Sequence, residues 1–343
     1  MPHATSAPVP SSLYEHRVAA IEASGTAPVP VAACPVCDAT LGIPRFSIEG
    51  LAEYLVLCAG CGTGRLHPLP GPAEIAAFYP PRYYGDLGSK FAAPIEVLVR
   101  FVARRHVAFL AEGLKPGARV LDVGCGRGVT LAGLADRGLE AHGFEISSDA
   151  AQGVDPRAHL RIAPSLEEAD YPNAHFDAIV VWHVLEHVRD PRQTLETVRR
   201  LAKPGARLVV AVPNLSSLQA QWAGPGWFHL DLPRHLHHFP LAALRALLER
   251  TGFAVRSEHH FSLRQNPFGW IQSWQNRRKD LPRNALYTLL YQRSAGEVPP
   301  FDARTRRRLL TGLVLAAAPS LAATCVETVQ RNGGTVHVVA APR

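Results

Sequence analysis

The stretch Val120-Leu121-Asp122-Val123-Gly124-Cys125-Gly126-Arg127-Gly128 most narrows what this chain can fold into. Val120 to Val123 reads as a short buried strand. Gly124, Gly126 and Gly128 let the backbone turn sharply and approach a ligand closely. Val129, Leu131, Leu134 and Ala135 then recur at helical spacing. A strand, a glycine turn and a helix in this order belong to an α/β domain. The helix start presents unpaired N–H groups to whatever lies above the turn.

Downstream, helix and strand signals alternate as a parallel sheet demands. Glu140 to Phe144 is a second strand ending at Glu145, and Ser147 or Ser148 is placed to cap a following helix. Phe176 to Val181 is a buried run before Trp182. Asp190-Pro191 is a helix start, Lys203-Pro204-Gly205 a turn, and Arg207 to Val212 a further strand. Pro240 opens a helix that Gly252 closes, and Phe253 to His259 is extended. Residues 261–330 break this rhythm as a helical insertion or lid. Thr335 to Ala340 is a terminal strand of the core.

Two cysteine pairs precede this core. Cys34-Pro35-Val36-Cys37 and Cys58-Ala59-Gly60-Cys61 are separated by a 20-residue spacer. Two such knuckles supply four soft ligands to a tetrahedral ion and leave no open coordination position, which predicts structural Zn²⁺ in a ribbon spanning 28–71. Arg45 to Ile48 and Tyr54 to Leu57 read as its strands. Before it, 1–27 reads as a tail with a short helix, Leu13 to Ala23. After it, 72–116 reads as a helical linker or lid, with a helix over Pro94 to Leu114, leading to the core at 117–260. The aromatic run Phe78 to Gly85, which includes Tyr84, either packs the ribbon onto the core or lines a ligand cleft.

The 343 residues are 47% hydrophobic, enough for a sizeable core, and carry a net charge of +7. Lysine occurs only at 90, 115, 203 and 279, and the arginines are scattered in short clusters. That pattern fits a solvated surface better than a nucleic-acid stripe. No basic segment followed by an apolar core opens the chain, and the paired thiols fit a reducing compartment, so a cytoplasmic setting is expected. Leu309 to Val326 follows Arg306-Arg307-Arg308 and has about the length of a membrane span, but contains Pro319 and polar residues. Peripheral membrane contact through 305–326 is one reading of it, beside a lid and an ordinary buried helix.

Asp122 with glycines at every second position differs from the Gly-x-Gly-x-x-Gly of a pyrophosphate-binding turn. It resembles motif I of the class I S-adenosylmethionine (SAM) methyltransferases. Glu145 stands 21 residues after Gly124, at the second strand's end, where a ribose-binding carboxylate belongs. Phe176 to Val188 and Leu201 to Leu208 resemble the superfamily's fourth strand with its loop and the turn into its fifth strand. The resemblance implies a Rossmann-like seven-stranded sheet whose last strand is antiparallel. It also implies cofactor contacts from Asp122, Gly124, Cys125, Gly126, Gly128, Glu145, Ile146, Ser165, Leu166, Trp182, His183 and Tyr84. Adding the four-cysteine ribbon and Trp227 to Phe239, the layout is similar to methyltransferases of glycan and natural-product pathways. These include sugar C-methyltransferases with an N-terminal zinc domain, although this chain has a smaller C-terminal region.

Methyl transfer needs a positioned nucleophile and a group to take its proton. Histidine titrates near neutrality. His183 and His187 follow the fourth strand; His235, His237 and His238 follow the fifth. His235 or His238 is the expected general base, with His183 near the methyl group and Glu186 able to orient a histidine. The expected function is methyl transfer to an O or C nucleophile of a small molecule or glycan precursor. The alternatives are a tRNA or rRNA methyltransferase and a non-catalytic SAM-binding protein that docks a partner through its ribbon.

Overall fold

The computed structural model describes residues 17–21, 27–79, 104–290 and 301–343. Two sheets organise them. The ribbon is built from β1 (Val18–Ala20), β2 (Val29–Pro30), β3 (Leu41–Ile48), β4 (Tyr54–Cys58) and β5 (Gly64–His67). The core sheet is built from β6 (Arg119–Val123), β7 (Glu140–Glu145), β8 (His159–Ile162), β9 (Phe176–Trp182), β10 (Ala202–Pro213), β12 (Phe253–His259) and β13 (Thr335–Pro342). A two-residue strand between the last groups, β11 (His237–His238), belongs to the ribbon.

The core order is β12-β13-β10-β9-β6-β7-β8, seven strands with β13 antiparallel to both neighbours. This is the expected Rossmann-like methyltransferase sheet with its reversed last strand. Val120, Leu121, Val123, Ile179 and Val181 are fully or almost fully buried, as central parallel strands require. Helices cover both faces. One face holds α3 (Pro191–Leu201) and α5 (Leu241–Arg250), which bury Leu195, Val198, Leu244 and Leu247 against Phe176 and Phe253. On the other, the helical residues 104–110 and α2 (Val129–Ala135) pack Val107, Leu110, Leu131 and Leu134 against Val120 and Val180. The Asp190 carboxylate accepts from the Gln193 amide at 3.0 Å, with Pro191 at the first helical position, so α3 starts where its sequence dictates.

The ribbon is welded to this core. Strand β11 pairs antiparallel with β5, His237 with Arg65 and His238 with Gly64, and the Leu66 amide donates to the Leu236 carbonyl. Cys34, Val36 and Cys58 share one apolar cluster with Leu195, Phe239 and Leu244. Arg192 reaches from α3 to the Pro35 carbonyl at 2.7 Å and to Asp38 at 2.6 Å, and Arg250 also pairs with Asp38.

Three local expectations change. Val18–Ala20 is a strand paired with Ile48, Ser47 and Phe46, not part of a helix over Leu13 to Ala23. A lone short helix is marginal in water. The open edge of β3 offers these residues backbone partners instead, including Glu49 N–H to the Arg17 carbonyl at 2.8 Å. Ser147 does accept from the Ala150 amide at 3.4 Å, but turns rather than a helix follow it, up to Gly153. Lys203-Pro204-Gly205 stays in the ladder as the irregular start of β10, bulged between Ala202 and Arg207. The expected helix from Pro94 lies outside the described residues up to 103, as does Tyr84.

The insertion before β13 contains α6 (Asn266–Asn276), α7 (Ala285–Leu290) and α8 (Ala303–Val329). A short α1 (Pro72–Ala77) follows the ribbon, and α4 (Leu218–Ala223) follows β10.

Phe239 is 1% exposed where ribbon and core meet. Phe239→Ala is expected to cost about 3–5 kcal/mol in denaturant unfolding. A loss below about 1 kcal/mol would mean that the two parts do not share one core.

Candidate active site

The parallel strands all end at one edge of the sheet, and the site is built there. Strand β6 runs into Gly124 at φ +70°, where a Cβ would meet Val184 Cγ2 at 2.5 Å. The position therefore takes only glycine. The Gly124 and Cys125 amides both donate to the Phe144 carbonyl, at 2.8 and 3.0 Å, which ties the turn to the end of β7. Glu145 closes this tie. Its carboxylate accepts from the Gly126 amide at 3.0 Å and from its neighbour Ile146 at 2.8 Å. Burial raises the Glu145 pKa, while these backbone donors oppose that rise.

Asp122 is 5% exposed at the end of β6. Burial, then the nearby Glu145 charge, push its carboxyl up to about 7. Neither influence is cationic. Two buried acids beside a glycine turn fit a ligand carrying an ammonium and a pair of hydroxyls. The ammonium would remove the cost of ionising Asp122, and Glu145 would accept from the hydroxyls. SAM carries both groups, and the residues present fit it.

The other expected contacts fall into place unevenly. Cys125 sits in the turn, and Ile146 is exposed beside Glu145. Ser165 turns its hydroxyl to Glu168 at 2.9 Å, and the Leu166 side chain is packed in the core. Either residue can face a cleft chiefly with its backbone.

At the end of β9, Trp182 stands in register with Ala211 of β10, which faces His337 of β13, which faces His259 of β12. This row floors a cavity of about 450 Å³. Its walls include His106, Phe109, Phe261, Arg105, Arg264 and Arg331. The Trp182 ring lies 3.7 Å from that of His106 and 4.3 Å from that of His337. Burial lowers the pKa of His106 to about 3, with Arg264 and His183 adding to the effect, and lowers that of His337 well below its usual value. Both rings are therefore neutral near pH 7. Sequence spacing gives no signal for this set, because strand register alone gathers it.

His183 follows Trp182 at φ +53°, in the left-handed region that a side chain rarely adopts. Its Nδ1 lies 3.0 Å from Glu186, which is 1% exposed. Burial opposes ionisation of Glu186, but the His183 hydrogen bond, the His183 and His187 charges and a backbone hydrogen bond together outweigh it and lower the pKa. The ionised carboxylate only accepts, so Nδ1 donates to it and the bond leaves Nε2 as the other ring nitrogen.

The later histidines serve another place. His235 Nδ1 meets the His229 carbonyl at 2.9 Å, His238 Nε2 meets the Leu230 carbonyl at 2.8 Å, and His237–His238 is the strand that joins the ribbon. Burial lowers the pKa of His235 well below its usual value and that of His238 to about 4. Neither is among the described residues that line the 450 Å³ cavity. The expected base role meets residues that hold the 227–239 loop in shape. His187 bridges Tyr79, 2.8 Å away, and the Arg234 carbonyl at 3.1 Å. Its donor atoms lie within 4.8 Å of those of Glu186 and His235.

The four ribbon sulfurs also lie within 4.8 Å of one another, with Cys34 to Cys61 at 3.6 Å and Cys37 to Cys58 at 3.5 Å. A tetrahedron with metal–sulfur bonds of about 2.3 Å has edges of about 3.8 Å. The hydrogen bond from Cys34 pulls the Cys61 thiol down to about 4, against the opposing effect of burial. The donor set fits a tetrahedral soft-ligand metal.

A family described as a methyltransferase domain matches residues 98–258. The ubiquinone biosynthesis O-methyltransferase of Xylella fastidiosa is 30% identical over 176 residues, covering 47% of this chain and 68% of that protein. The chain belongs to the class I SAM-dependent methyltransferases. The protein of the same description from Alkalilimnicola ehrlichii is 35% identical over 116 residues, 32% of this methyltransferase-family chain and 47% of that protein. The chain thus spans about half the length of the relatives it matches most strongly. A solved SAM-dependent methyltransferase from Archaeoglobus fulgidus is 18% identical, covering 71% of this chain and 93% of that one, with a TM-score of 0.45.

Asp122 gives this family member a pH signature. Its pKa rises from 3.8 to about 7 on folding, so the folded protein holds that proton longer. The associated stability is full below the lower value and lost as pH rises through the upper one. Asp122→Asn should therefore gain melting temperature relative to the native protein between about pH 4 and about pH 8, while its SAM affinity falls about tenfold or more. A melting difference that stays flat across that range would refute the assignment.

Proposed function

We propose that this protein transfers the methyl group of SAM to an oxygen of a small, planar, acid-bearing acceptor held over Trp182. The observation that carries this reading is the 450 Å³ cavity lined by Trp182, which ends the strand next to the one that runs into the glycine turn. Aromatic walls from Phe109, Trp182 and Phe261 suit a flat ring. Arg105 and Arg264 suit a carboxylate or phenolate, since Arg binds planar anions bidentately, while Arg331 pairs with Glu258, which also lines the cavity. Two relatives named for O-methylation in ubiquinone biosynthesis support oxygen as the nucleophile. A glycan or other natural-product precursor with an acidic group would meet the same walls.

Asp122, the glycine turn and Glu145 would hold SAM, which supplies an electrophilic methyl group when bound. The chain's own residues then do three things. The floor of Trp182, His337 and His259 orients the acceptor. The neutral His106 and His337 add no charge of their own beside the acceptor and leave hydrogen-bonding nitrogens there. His183 takes the acceptor proton at Nε2, with its ring fixed by the Glu186 carboxylate. This is the orientation logic by which a buried acid sets a histidine's tautomer. The base is assigned here to His183 rather than to His235 or His238, because it directly follows Trp182, which lines the cavity.

We assign Zn²⁺ to the ribbon, held by Cys34, Cys37, Cys58 and Cys61 in a structural role. A four-thiolate site needs reduced cysteines, and this supports a reducing, cytoplasmic setting as part of the same reading.

His183→Gln should leave SAM affinity unchanged in calorimetry while slowing S-adenosylhomocysteine release by about 100-fold or more with hydroxylated aromatic acids. Turnover within about threefold of native would place the base elsewhere. Affinity for structured RNA that falls steeply with salt, together with RNA methylation, would overturn the small-molecule reading. Elemental analysis should find one zinc per chain. Cys58→Ser should lose it, and melting should then drop by several degrees or more, at a cost of about 3 kcal/mol.

A further inference from the structure

Helix α8 is inside out. Its buried residues are Leu309, Gly312, Ser320, Thr324 and Glu327. Small or polar groups thus make up most of the side that faces the protein, with Leu309, Leu313 and Ala316 packed on the cluster of Ile271, Leu281 and Leu286. Its outward side carries Leu310, Val314, Leu315, Leu321, Val326 and Val329, with Val314 74%, Leu315 68% and Val329 84% exposed. A surface helix normally turns its apolar stripe inward.

Further inward contacts hold the rest of the helix, beyond the short stripe of Leu309, Leu313 and Ala316. Gly312 lets α8 approach α6 so closely that a Cβ would meet Gln275 Nε2 at 2.9 Å. Gln275 donates to the Leu309 carbonyl at 3.2 Å, and Trp270 Nε1 to Glu327 at 3.0 Å. Small residues and polar links inward, aliphatic residues outward, is the arrangement of helices that meet lipid. Among the described residues, α8 is the one helix long and apolar enough to cross a membrane. Its polar inner side is already packed against α6, so only the outer face is available.

Charge decides the occupant. Arg304, Arg307 and Arg308 are exposed at the N-terminal end of this aliphatic face. Within the helix the acidic residue is Glu327, and it is buried. The exposed carboxylates at this end are already engaged, Asp302 as the N-cap accepting from the Thr305 amide and Asp280 with Arg278 and Arg308, so a second copy would bring those arginines poor partners. An anionic bilayer offers acyl chains to the aliphatic face and phosphates to the arginines together. The chain's net charge of +7 acts in the same direction. Thr328 in the last turn and Arg331 just beyond it line the 450 Å³ cavity, as do the exposed Phe261 and Leu263.

We propose that α8 lies in the plane of an anionic lipid surface through its Leu310–Val329 face, with Arg304 and Arg307 on the headgroups, and sets the cavity rim at that surface. The proposal concerns binding alone and stands apart from the identity of the methyl acceptor.

The full chain should sediment with vesicles of phosphatidylcholine and phosphatidylglycerol about tenfold more strongly than with phosphatidylcholine alone, and less as salt rises. Val314→Glu/Leu315→Glu should abolish this, and Arg304→Gln/Arg307→Gln should reduce it about tenfold. Both pairs are exposed, and unchanged melting curves will show that the variants are folded. No sedimentation with the anionic vesicles, or sedimentation indifferent to the Val314/Leu315 pair, overturns the proposal. A dimer in sedimentation velocity that the same pair dissolves, without vesicle binding, assigns the face to a second copy and overturns it too.

Discussion

The pairing of His237–His238 with Gly64–Arg65 is the constraint on which the rest of this structure leans. It makes a two-residue piece of the core chain the last strand of the ribbon sheet. The loop from Trp227 to Phe239 is thereby pinned at one end by backbone hydrogen bonds. Its interior is pinned by histidines whose ring nitrogens meet the His229 and Leu230 carbonyls. Burying imidazoles costs their protonated form, and low pKa values at His235 and His238 record that cost. Neutral rings can then serve as fixed hydrogen-bonding struts. The loop in turn supplies the Leu236 and His237 amides that both donate to the Glu186 carbonyl. The cysteine ribbon, the 227–239 loop and the turn that carries Glu186 are thus parts of one packed unit, with the sulfur knuckle resting on the same apolar cluster as α3 and α5.

At the carboxyl edge, a buried acidic pair and a set of exposed arginines are kept apart. Asp122 and Glu145 lie among backbone donors with no cation between them, which favours a cationic guest. Across Trp182, the cavity is lined by arginines and neutral histidines, which favours an anionic one. Trp182 is the wall between these halves. Guests of opposite sign on its two sides attract one another more strongly in such a desolvated space than in water. Part of the work of bringing donor and acceptor together thus resides in the electrostatics of the empty fold.

Much of this was legible in the sequence wherever the signal is local. The glycine turn, the acid at the end of the second strand, the two cysteine knuckles and the Asp-Pro helix start each depend on neighbours a few residues away. The cavity floor was not legible. Trp182, His337 and His259 become a row only through the register of four strands, and nothing in the residues around His337 announces that. The tail shows the converse failure. Val18 to Ala20 have a helical-looking context, yet an unpaired edge of β3 outweighs local propensity. For His235 and His238 the chain position after the fifth strand was read well enough. Their direction was not, because it is set by a partner strand some 170 residues earlier in the chain. Helix α8 stood out by composition alone, but which of its sides is buried depends on α6.

The reversal of β13 has a geometric consequence. Strand β12 finishes at the carboxyl edge, and β13, running the other way, starts there. Any chain inserted between them must leave and return on the side where ligands bind. The segment from 260 to 334 is therefore a cassette whose ends are clamped side by side in one hairpin of the sheet. It can lengthen, shorten or change its surface without disturbing a single rung of the strands beneath. Acceptor choice and anchoring can change there independently of the cofactor turn, which lies on the far side of β9 and shares no backbone with them.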